Sequence, residues 1–371
     1  MLQNNDVLDK ILQYYLGVSL VDITNSKECT TRRKQTMAYF RQQLDTALIV
    51  IPQANMFVSH IFQVILGYVL TADKLPSDDV RQRLVDYVLS LRQSGAGFLP
   101  IRMAAQSEQL FSGRPEKTDI YATSYALSVL ELLARPISSS VITEIGGWLK
   151  SQRAASGWFY QLTLGNTMEE RKFQIELTLQ TLSALLVLHS YKVLDLRTLE
   201  TTREAILHVF PSLKYMGALY QSLYSLSLLR GVGSSQEVAR IALDFVIRHY
   251  DQQSGGFFEY LFEETKIDEI AGQTQRFQHD YLMPTITASY HALQVMLLLE
   301  GNMSTRDWWI GHRDKVKSYF TSIPLSSEDG FGSHLQIAKF PAPFGPVTTP
   351  LETLMVDCAP ALLLALDTSF L

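Results

Sequence analysis

The chain has 371 residues and a formal net charge of −5 at pH 7, and this acidic balance argues against nucleic acid as a partner. Charged residues make up only 19% of the sequence and hydrophobic residues 47%, which indicates a large buried surface. Two cysteines, Cys29 and Cys358, imply neither a disulfide framework nor a zinc cluster.

The first 50 residues contain the basic run Arg32-Arg33-Lys34 and are predicted to be helical. Positions 1–10 lack a basic segment followed by an apolar run, so we expect no signal peptide. No apolar run approaches the roughly 20 residues that a membrane span requires. These features predict a cytoplasmic protein, which could still dock on a membrane surface to take up a hydrophobic ligand.

A small-residue turn that ends in Gly and an aromatic residue recurs along the chain. Its members are Ser94–Phe98, Ser156–Trp158, Ser254–Phe257 and Asp329–Phe331, with a weaker one at Lys214–Tyr220. The evenly spaced glycines 97, 157 and 217 favour a true internal repeat. Glycine allows a left-handed turn, and the aromatic residue would fix that turn against the preceding helix.

Helical patterns surround these turns. A charged amphipathic helix is predicted before most of them, at 80–92, 141–153 and 238–250, and a more apolar helix follows each turn. Aligning the second helices places Tyr121, Glu176 and Asp357 in one column, with six helices in register.

A helical hairpin cannot bury both of its apolar faces alone, so neighbouring hairpins must cover them. The predicted fold class is therefore all-α: six hairpins that close into an α/α toroid, with the charged helices outside and the apolar helices inside. We expect one domain over residues 1–371, with residues 1–50 as an N-terminal helical extension packed on the barrel.

Long connections between the turns and the inner helices are expected to cover the mouth of the ring. Loops of this length in a compact domain are usually functional. Aromatic residues in and beside them would form a lining that folds a hydrophobic chain, although ordinary core packing is the alternative for each. These residues are Tyr121, Tyr281, Phe331, Phe340 and Phe344.

Asp357 lies at the head of the apolar run that leads through Pro360 to Leu366. Because proline is tolerated in the first helical turn, a helix is predicted to start around Cys358 or Ala359. Asp357 would then cap that helix, which would lower its pKa. Alternatively, it is desolvated in the core, where its pKa would rise and leave it protonated near neutral pH.

Residues 145–158 show an outer helix that ends in Gln-Arg and leads to Gly-Trp. This pattern resembles the QW repeats of triterpene cyclases and the related repeats of protein prenyltransferase β subunits. Residues 355–361 resemble the Asp-Cys motif that opens an inner helix of class II terpene cyclases and carries their proton donor. The flanking carboxylates of the DxDD form of that motif are absent.

The resemblance implies a single-domain, protonation-initiated cyclase without metal or cofactor. Its substrate would be a polyprenyl chain attached to a hydroxybenzoate, which is cyclised through a carbocation cascade. Asp357 would be the acid and Cys358 would lie beside it. Such chemistry requires a strong, dry carboxylic acid, a cavity that excludes water and aromatic faces that stabilise positive charge.

Several alternatives remain open at this stage. Asp119 and Glu176 are rival acids, and each is also a candidate for an ordinary helix start. His291 or His334 is predicted to bond the oxygen of the acid that does not deliver the proton. Prenyl transfer is a second function, although no cluster of aspartates for diphosphate and no histidine after Cys358 supports it. A non-catalytic toroid that binds a hydrophobic ligand is a third, and it would tolerate loss of Asp357.

Overall fold

The computed structural model describes residues 5–51, 56–72, 74–101, 118–160, 170–229, 235–261, 284–323 and 350–370. The helices in these ranges are numbered in chain order. They are α1 Asn5–Leu16, α2 Leu20–Asn25, α3 Lys27–Val50, α4 Val58–Ala72, α5 Asp78–Ser90, α6 Ile120–Leu132, α7 Ser139–Ser151, α8 Glu170–Ser190, α9 Leu196–Val209, α10 Met216–Leu228, α11 Gln236–Arg248, α12 Ile286–Leu298, α13 Met303–Thr321 and α14 Pro350–Phe370.

Six of these helices form a closed inner ring. Each of α4, α6, α8, α10, α12 and α14 contacts the next, and α14 contacts α4. The helices α3, α5, α7, α9, α11 and α13 form the outer layer, and each packs against the inner helix that follows it. The predicted all-α toroid of six hairpins is confirmed.

Side-chain caps explain where several helices begin. The outer helices α7, α9 and α11 follow Ser138, Asp195 and Ser235, whose side chains accept hydrogen bonds from first-turn amides. The inner helices α6 and α12 are capped in the same way by Asp119 and Thr285. Each such cap contributes about 1 kcal/mol, because it satisfies a donor that would otherwise have no partner.

The Gly-aromatic turns join the two layers. Gly95, Gly157 and Gly255 have φ angles of 74°, 95° and 84°, a left-handed conformation that other residues adopt with strain. The phenylalanine that follows each turn is buried, and its backbone N–H donates to a hydroxyl on the inner helix. These pairs are Phe98 with Thr123 at 2.9 Å, Phe159 with Thr181 at 3.2 Å and Phe257 with Ser289 at 2.8 Å.

These turns correct two details of the repeat. Gly217 is the second residue of α10 and forms no turn, so the even spacing of the glycines was coincidental. The alignment also paired Thr178 with Thr123, whereas the hydroxyl in the equivalent position belongs to Thr181. Glu176 is therefore displaced by three residues from the column predicted for it, because α8 is longer at its N-terminus than α6.

The first 50 residues contribute to the ring itself. Helix α3 packs between α4 and α14 and is the outer helix of the first hairpin. Helix α1 contacts α2 and, through Tyr15 and Leu16, the inner helices α6 and α12. The division into one domain with an extension stays a prediction.

Within the described part of the chain, α14 is long and apolar enough to cross a membrane by length and composition alone. Most of it is buried in the ring, as expected for the core helix of a toroid.

Candidate active site

Asp357 lies in the interior of α14, which begins at Pro350. The predicted helix start near Cys358 and the capping role of Asp357 are therefore wrong. The rule that favours proline in the first turn does apply, but to Pro350 and not to Pro360. Pro360 lies inside the helix, where it removes the N–H that would bond the carbonyl of Val356.

The carboxyl group of Asp357 is fully buried between two helices. Its residue is 0% exposed, and the Thr36 hydroxyl on α3 donates to Oδ2 at 2.6 Å. The carbonyls of Arg32 and Arg33 lie farther from the same hydroxyl, at 3.2 Å. A hydroxyl has one proton, and the shorter contact indicates that the carboxyl receives it. Oδ1 has no hydrogen-bond partner among the described residues.

Burial raises the pKa of Asp357 to about 7, while the Thr36 hydrogen bond and the charges of Arg32 and Arg33 act in the opposite direction. Desolvation therefore dominates, because a buried carboxylate loses its hydration. A substantial fraction of Asp357 is protonated at neutral pH. Such a group can act as a Brønsted acid in the core.

Cys358 does not bond the carboxyl group. A hydrogen bond with Cys29 and burial raise the pKa of the Cys358 thiol well above its ordinary value, so the thiol stays neutral. Cys29 is 0% exposed, although its sequence neighbourhood is polar. The two thiols fill the contact between α3 and α14.

Two further acidic residues, Asp119 and Glu176, lie close together near the N-terminal ends of α6 and α8 and form a second cluster. Asp119 caps α6 and accepts from the amides of Tyr121 at 2.9 Å and Ala122 at 3.0 Å. Burial raises its pKa to about 6, although the two amides lower it, and the charge of Glu176 adds to the rise. Asp119 is thus both a helix cap and a second candidate acid.

Tyr121 and Glu176 belong to this second cluster. Burial, together with the charges of Asp119 and Glu176, raises the pKa of the Tyr121 hydroxyl, so Tyr121 presents a neutral phenol. Glu176 accepts a hydrogen bond from Gln180 at 3.3 Å. The structure thus brings three predicted site residues together, whereas Asp357 and Cys358 lie at another contact.

His291 does not bond the Asp357 carboxyl group, as was predicted for it, because Oδ2 bonds Thr36 and Oδ1 has no partner among the described residues. Its ring stacks on Tyr220, with ring centroids 4.9 Å apart, and Nδ1 is buried without a hydrogen-bond partner among the described residues. Burial lowers the pKa of His291 to about 4, so the imidazole is neutral. The hydrogen-bond partner of Asp357 is instead Thr36. The sequence does not identify this residue, because only the tertiary contact between α3 and α14 brings the two side chains together.

Some predicted residues lie outside the described part of the chain. They are Tyr281, Phe331, His334, Phe340 and Phe344. Among the residues that are described, no three His, Cys, Asp or Glu side chains converge where a metal ion could bind.

Comparisons with known proteins bear mainly on the fold. The model of the prenyltransferase alpha-alpha toroid domain matches residues 32–209 and 187–339. Among solved structures, the chain is similar to a variant of the type II terpene cyclase MstE from Scytonema in complex with geranylgeranyl dihydroxybenzoate, described as its substrate. The identity is 9%, the match covers 91% of this chain and 99% of the other, and the TM-score is 0.45. No curated protein matches the sequence.

Proposed function

This chain belongs to the prenyltransferase alpha-alpha toroid family, and we propose that it is a class II terpene cyclase. In this proposal, Asp357 protonates an alkene of a polyprenyl chain, and the resulting carbocation closes rings within the toroid. Neither a metal ion nor a diphosphate leaving group takes part. The head group of the substrate is a hydroxybenzoate, as the sequence resemblance implies.

The observation that supports this proposal most strongly is the asymmetric bonding of the Asp357 carboxyl group. Because Thr36 donates to Oδ2, this proposal places the proton of the neutral acid on Oδ1. No described residue accepts that proton. A proton without an acceptor in a dry site is poised for transfer to a weak base such as an alkene.

The proton balance of the reaction follows from these contacts. The Oδ1–H bond of Asp357 breaks, a C–H bond forms at one alkene carbon, and the other carbon becomes cationic. The carboxylate that remains is stabilised by the Thr36 hydrogen bond and by the charges of Arg32 and Arg33, which all favour the ionised form. Loss of a proton from the final cation, or capture by an oxygen of the substrate, ends the cascade.

Aromatic faces are available to stabilise the positive charge. Tyr220 and His291 form a stacked pair on the neighbouring inner helices α10 and α12. Both rings are neutral, since burial raises the pKa of Tyr220 and lowers that of His291. A neutral ring attracts a cation through its negative face. Tyr121 offers a third neutral ring.

Asp119 is the second candidate acid. Its Oδ1 already accepts two backbone amides, which stabilise the ionised form and occupy the oxygen. Asp357 has no comparable amide donors in the interior of a helix, where backbone N–H groups bond to backbone carbonyls. This difference favours Asp357.

The test is to incubate the purified protein with geranylgeranylated hydroxybenzoates, with and without EDTA, and to compare Asp357→Asn with the matched variant Asp119→Asn. The proposal expects cyclised product that survives EDTA, disappears in Asp357→Asn and persists in Asp119→Asn. Loss of product only in Asp119→Asn would move the acid to Asp119. Absence of cyclisation with bound substrate would favour a non-catalytic toroid, and transfer of a prenyl group to an acceptor would identify a prenyltransferase.

We also propose a cytoplasmic location with transient docking at a membrane surface, which fractionation of the source cells would test.

A further inference from the structure

Helix α1 contacts several helices of the inner ring through its side chains. Tyr15 packs on Phe62 of α4, with ring centroids 4.5 Å apart, and its hydroxyl bonds Ser124 and Ser128 of α6 at 3.1 and 3.2 Å. Tyr14 bonds His189 of α8 at 3.3 Å. Helices α10 and α12 also bond this segment, and α14 contacts α2. Side chains of five of the six inner helices thus meet α1, although part of α1 stays exposed.

Simple geometry shows that a ring of six helices has room for one more helix. Packed helices lie about 8–10 Å apart, and the centre of a regular hexagon is as far from each corner as neighbouring corners are from each other. The centre of a six-helix ring therefore accommodates one further helix, whose diameter is about 10–12 Å with side chains. Leu8, Ile11, Leu12 and Leu16 of α1 are almost completely buried.

The ring recognises the last turn of α1 by specific hydrogen bonds. The final carbonyls of a helix have no partner within it. Three tyrosines of the ring donate to carbonyls of this turn, of which that of Gln13 also accepts from the N–H of Gly17. Tyr224 donates to the carbonyl of Gln13 and Tyr220 to that of Tyr14, both at 3.4 Å, and Tyr290 donates to that of Leu16 at 2.7 Å. A buried phenol requires such an acceptor, so these contacts satisfy both the tyrosine hydroxyls and the carbonyls at the end of α1.

Helix α1 also lies close to the candidate site residues. Tyr15 stacks on Tyr125, with ring centroids 5.6 Å apart. Burial raises the pKa of the Tyr125 hydroxyl, and the nearby charge of Asp119 adds to the rise. Tyr220, which donates to α1, carries the stacked His291. Beside Tyr15 the described residues leave a cavity of about 20 Å³, which is room for a single water molecule.

We propose that α1 is the floor of the substrate chamber and that Tyr15 sets the length of prenyl chain that the protein accepts. This inference rests on the proposed function. Because the last turn of α1 is bonded by side chains of α6, α10 and α12, a hydrophobic chain that enters from the N-terminal ends of the inner helices would stop against Tyr15 and Tyr220. A smaller side chain at position 15 lengthens the chamber, and a larger one shortens it.

The experiment measures binding rather than turnover. Prenyl alcohols of 15, 20 and 25 carbons are titrated into the full chain, Tyr15→Leu and Tyr15→Trp, with circular dichroism as the check of folding. Tyr15→Leu is expected to bind the first alcohol that is too long for the unmodified protein at least tenfold more tightly, since each newly buried methylene contributes about fourfold. Tyr15→Trp is expected to favour shorter alcohols.

The matched control is Tyr250→Leu. Tyr250 packs on Phe257 and Trp308 in the outer layer, so the same change there should leave the length preference unaltered. Identical preferences in all variants, an equal shift in the control, or no binding of any alcohol would overturn the inference. Shifted binding without cyclisation would contradict the proposed function alone, and cyclisation with an unshifted preference would contradict the floor alone.

A second measurement requires no variant. Hydrogen exchange of the amides of α1 in the unmodified protein should slow when an alcohol binds, because the chain rests on this helix. Faster exchange would mean that the ligand displaces α1, and this would also overturn the inference.

Discussion

Replacing Asp357 by asparagine should make the folded chain more stable at alkaline pH. Burial raises the pKa of Asp357 from an ordinary value of 3.8 to about 7, so the folded state binds this proton more tightly than the unfolded chain. The difference corresponds to about 4 kcal/mol of destabilisation when the group is ionised. Asparagine has nearly the same shape and remains neutral.

The sign of the effect follows from linkage. Well below pH 4 the carboxyl group is protonated in both states, and no penalty arises. Between pH 4 and pH 7 the unfolded chain releases the proton first, so the stability of the unmodified protein falls as the pH rises. Above the folded pKa of about 7 the full penalty applies.

The assay is urea unfolding of both proteins at pH 4, 6 and 8. The free energy of unfolding of Asp357→Asn, relative to the unmodified protein, should increase by about 4 kcal/mol between pH 4 and pH 8. Any constant cost of the new amide cancels in this change. Asp195→Asn is the control, because an amide hydrogen bond and Lys150 lower the pKa of Asp195 to about 2. Its contribution to stability therefore changes only below about pH 4, and its difference from the unmodified protein should stay nearly constant from pH 4 to pH 8.

A difference that does not vary with pH would refute the reasoning. It would mean that Asp357 is ionised in the folded state at little cost, compensated by Arg32, and such a carboxylate could not protonate an alkene.

The remaining predictions concern the cap, the turns and the partner of the acid. Asp119→Ala removes the cap of α6. At pH 4, where the raised pKa of Asp119 keeps the folded carboxyl group neutral, the change should lower the free energy of unfolding by about 1 kcal/mol, and a value near zero would contradict the capping role. Gly157→Ala forces a side chain into a φ of 95° and against the carbonyl of Thr201, so it should cost more than about 1 kcal/mol. Gly147→Ala, which meets nothing within 4 Å, should be neutral or stabilising, and equal effects of the two changes would contradict this account of the turn. Thr36→Val removes a hydrogen bond that lowers the pKa of Asp357, so the pH range over which stability falls should extend upward, while Thr36→Ser should leave it unchanged.

The sequence was sufficient to predict the toroid because its signals are local and repeated. The turn glycines need a left-handed backbone wherever they occur, and the two helical patterns on either side of each turn differ in charge. The capping role of Asp119 could also be predicted from the sequence, since this aspartate directly precedes the apolar helix α6.

The position of Asp357 was harder to predict because two prolines on the same segment fit the start of a helix equally well. Pro350 begins α14, and Pro360 lies within it. The packing of this helix in the ring offsets the backbone hydrogen bond that Pro360 removes, and no local pattern reveals that packing.

Two further features depend on tertiary contacts alone. Thr36 is separated from Asp357 by 321 residues, and nothing in its own neighbourhood marks it as the partner of a buried acid. The apolar face of α1 predicts a buried helix, but it does not indicate whether the partner is the outside of the barrel or its axis.

The central claim is that Asp357 protonates the substrate. The most direct test is to run the cyclisation in D2O and to measure the mass of the product by mass spectrometry. If Asp357 delivers a solvent-derived proton to the alkene, each cyclised molecule should carry one deuterium at the carbon where the cascade began, and Asp357→Asn should yield no product. Cyclised product without deuterium, or deuterated product from the variant at an undiminished rate, would contradict the account.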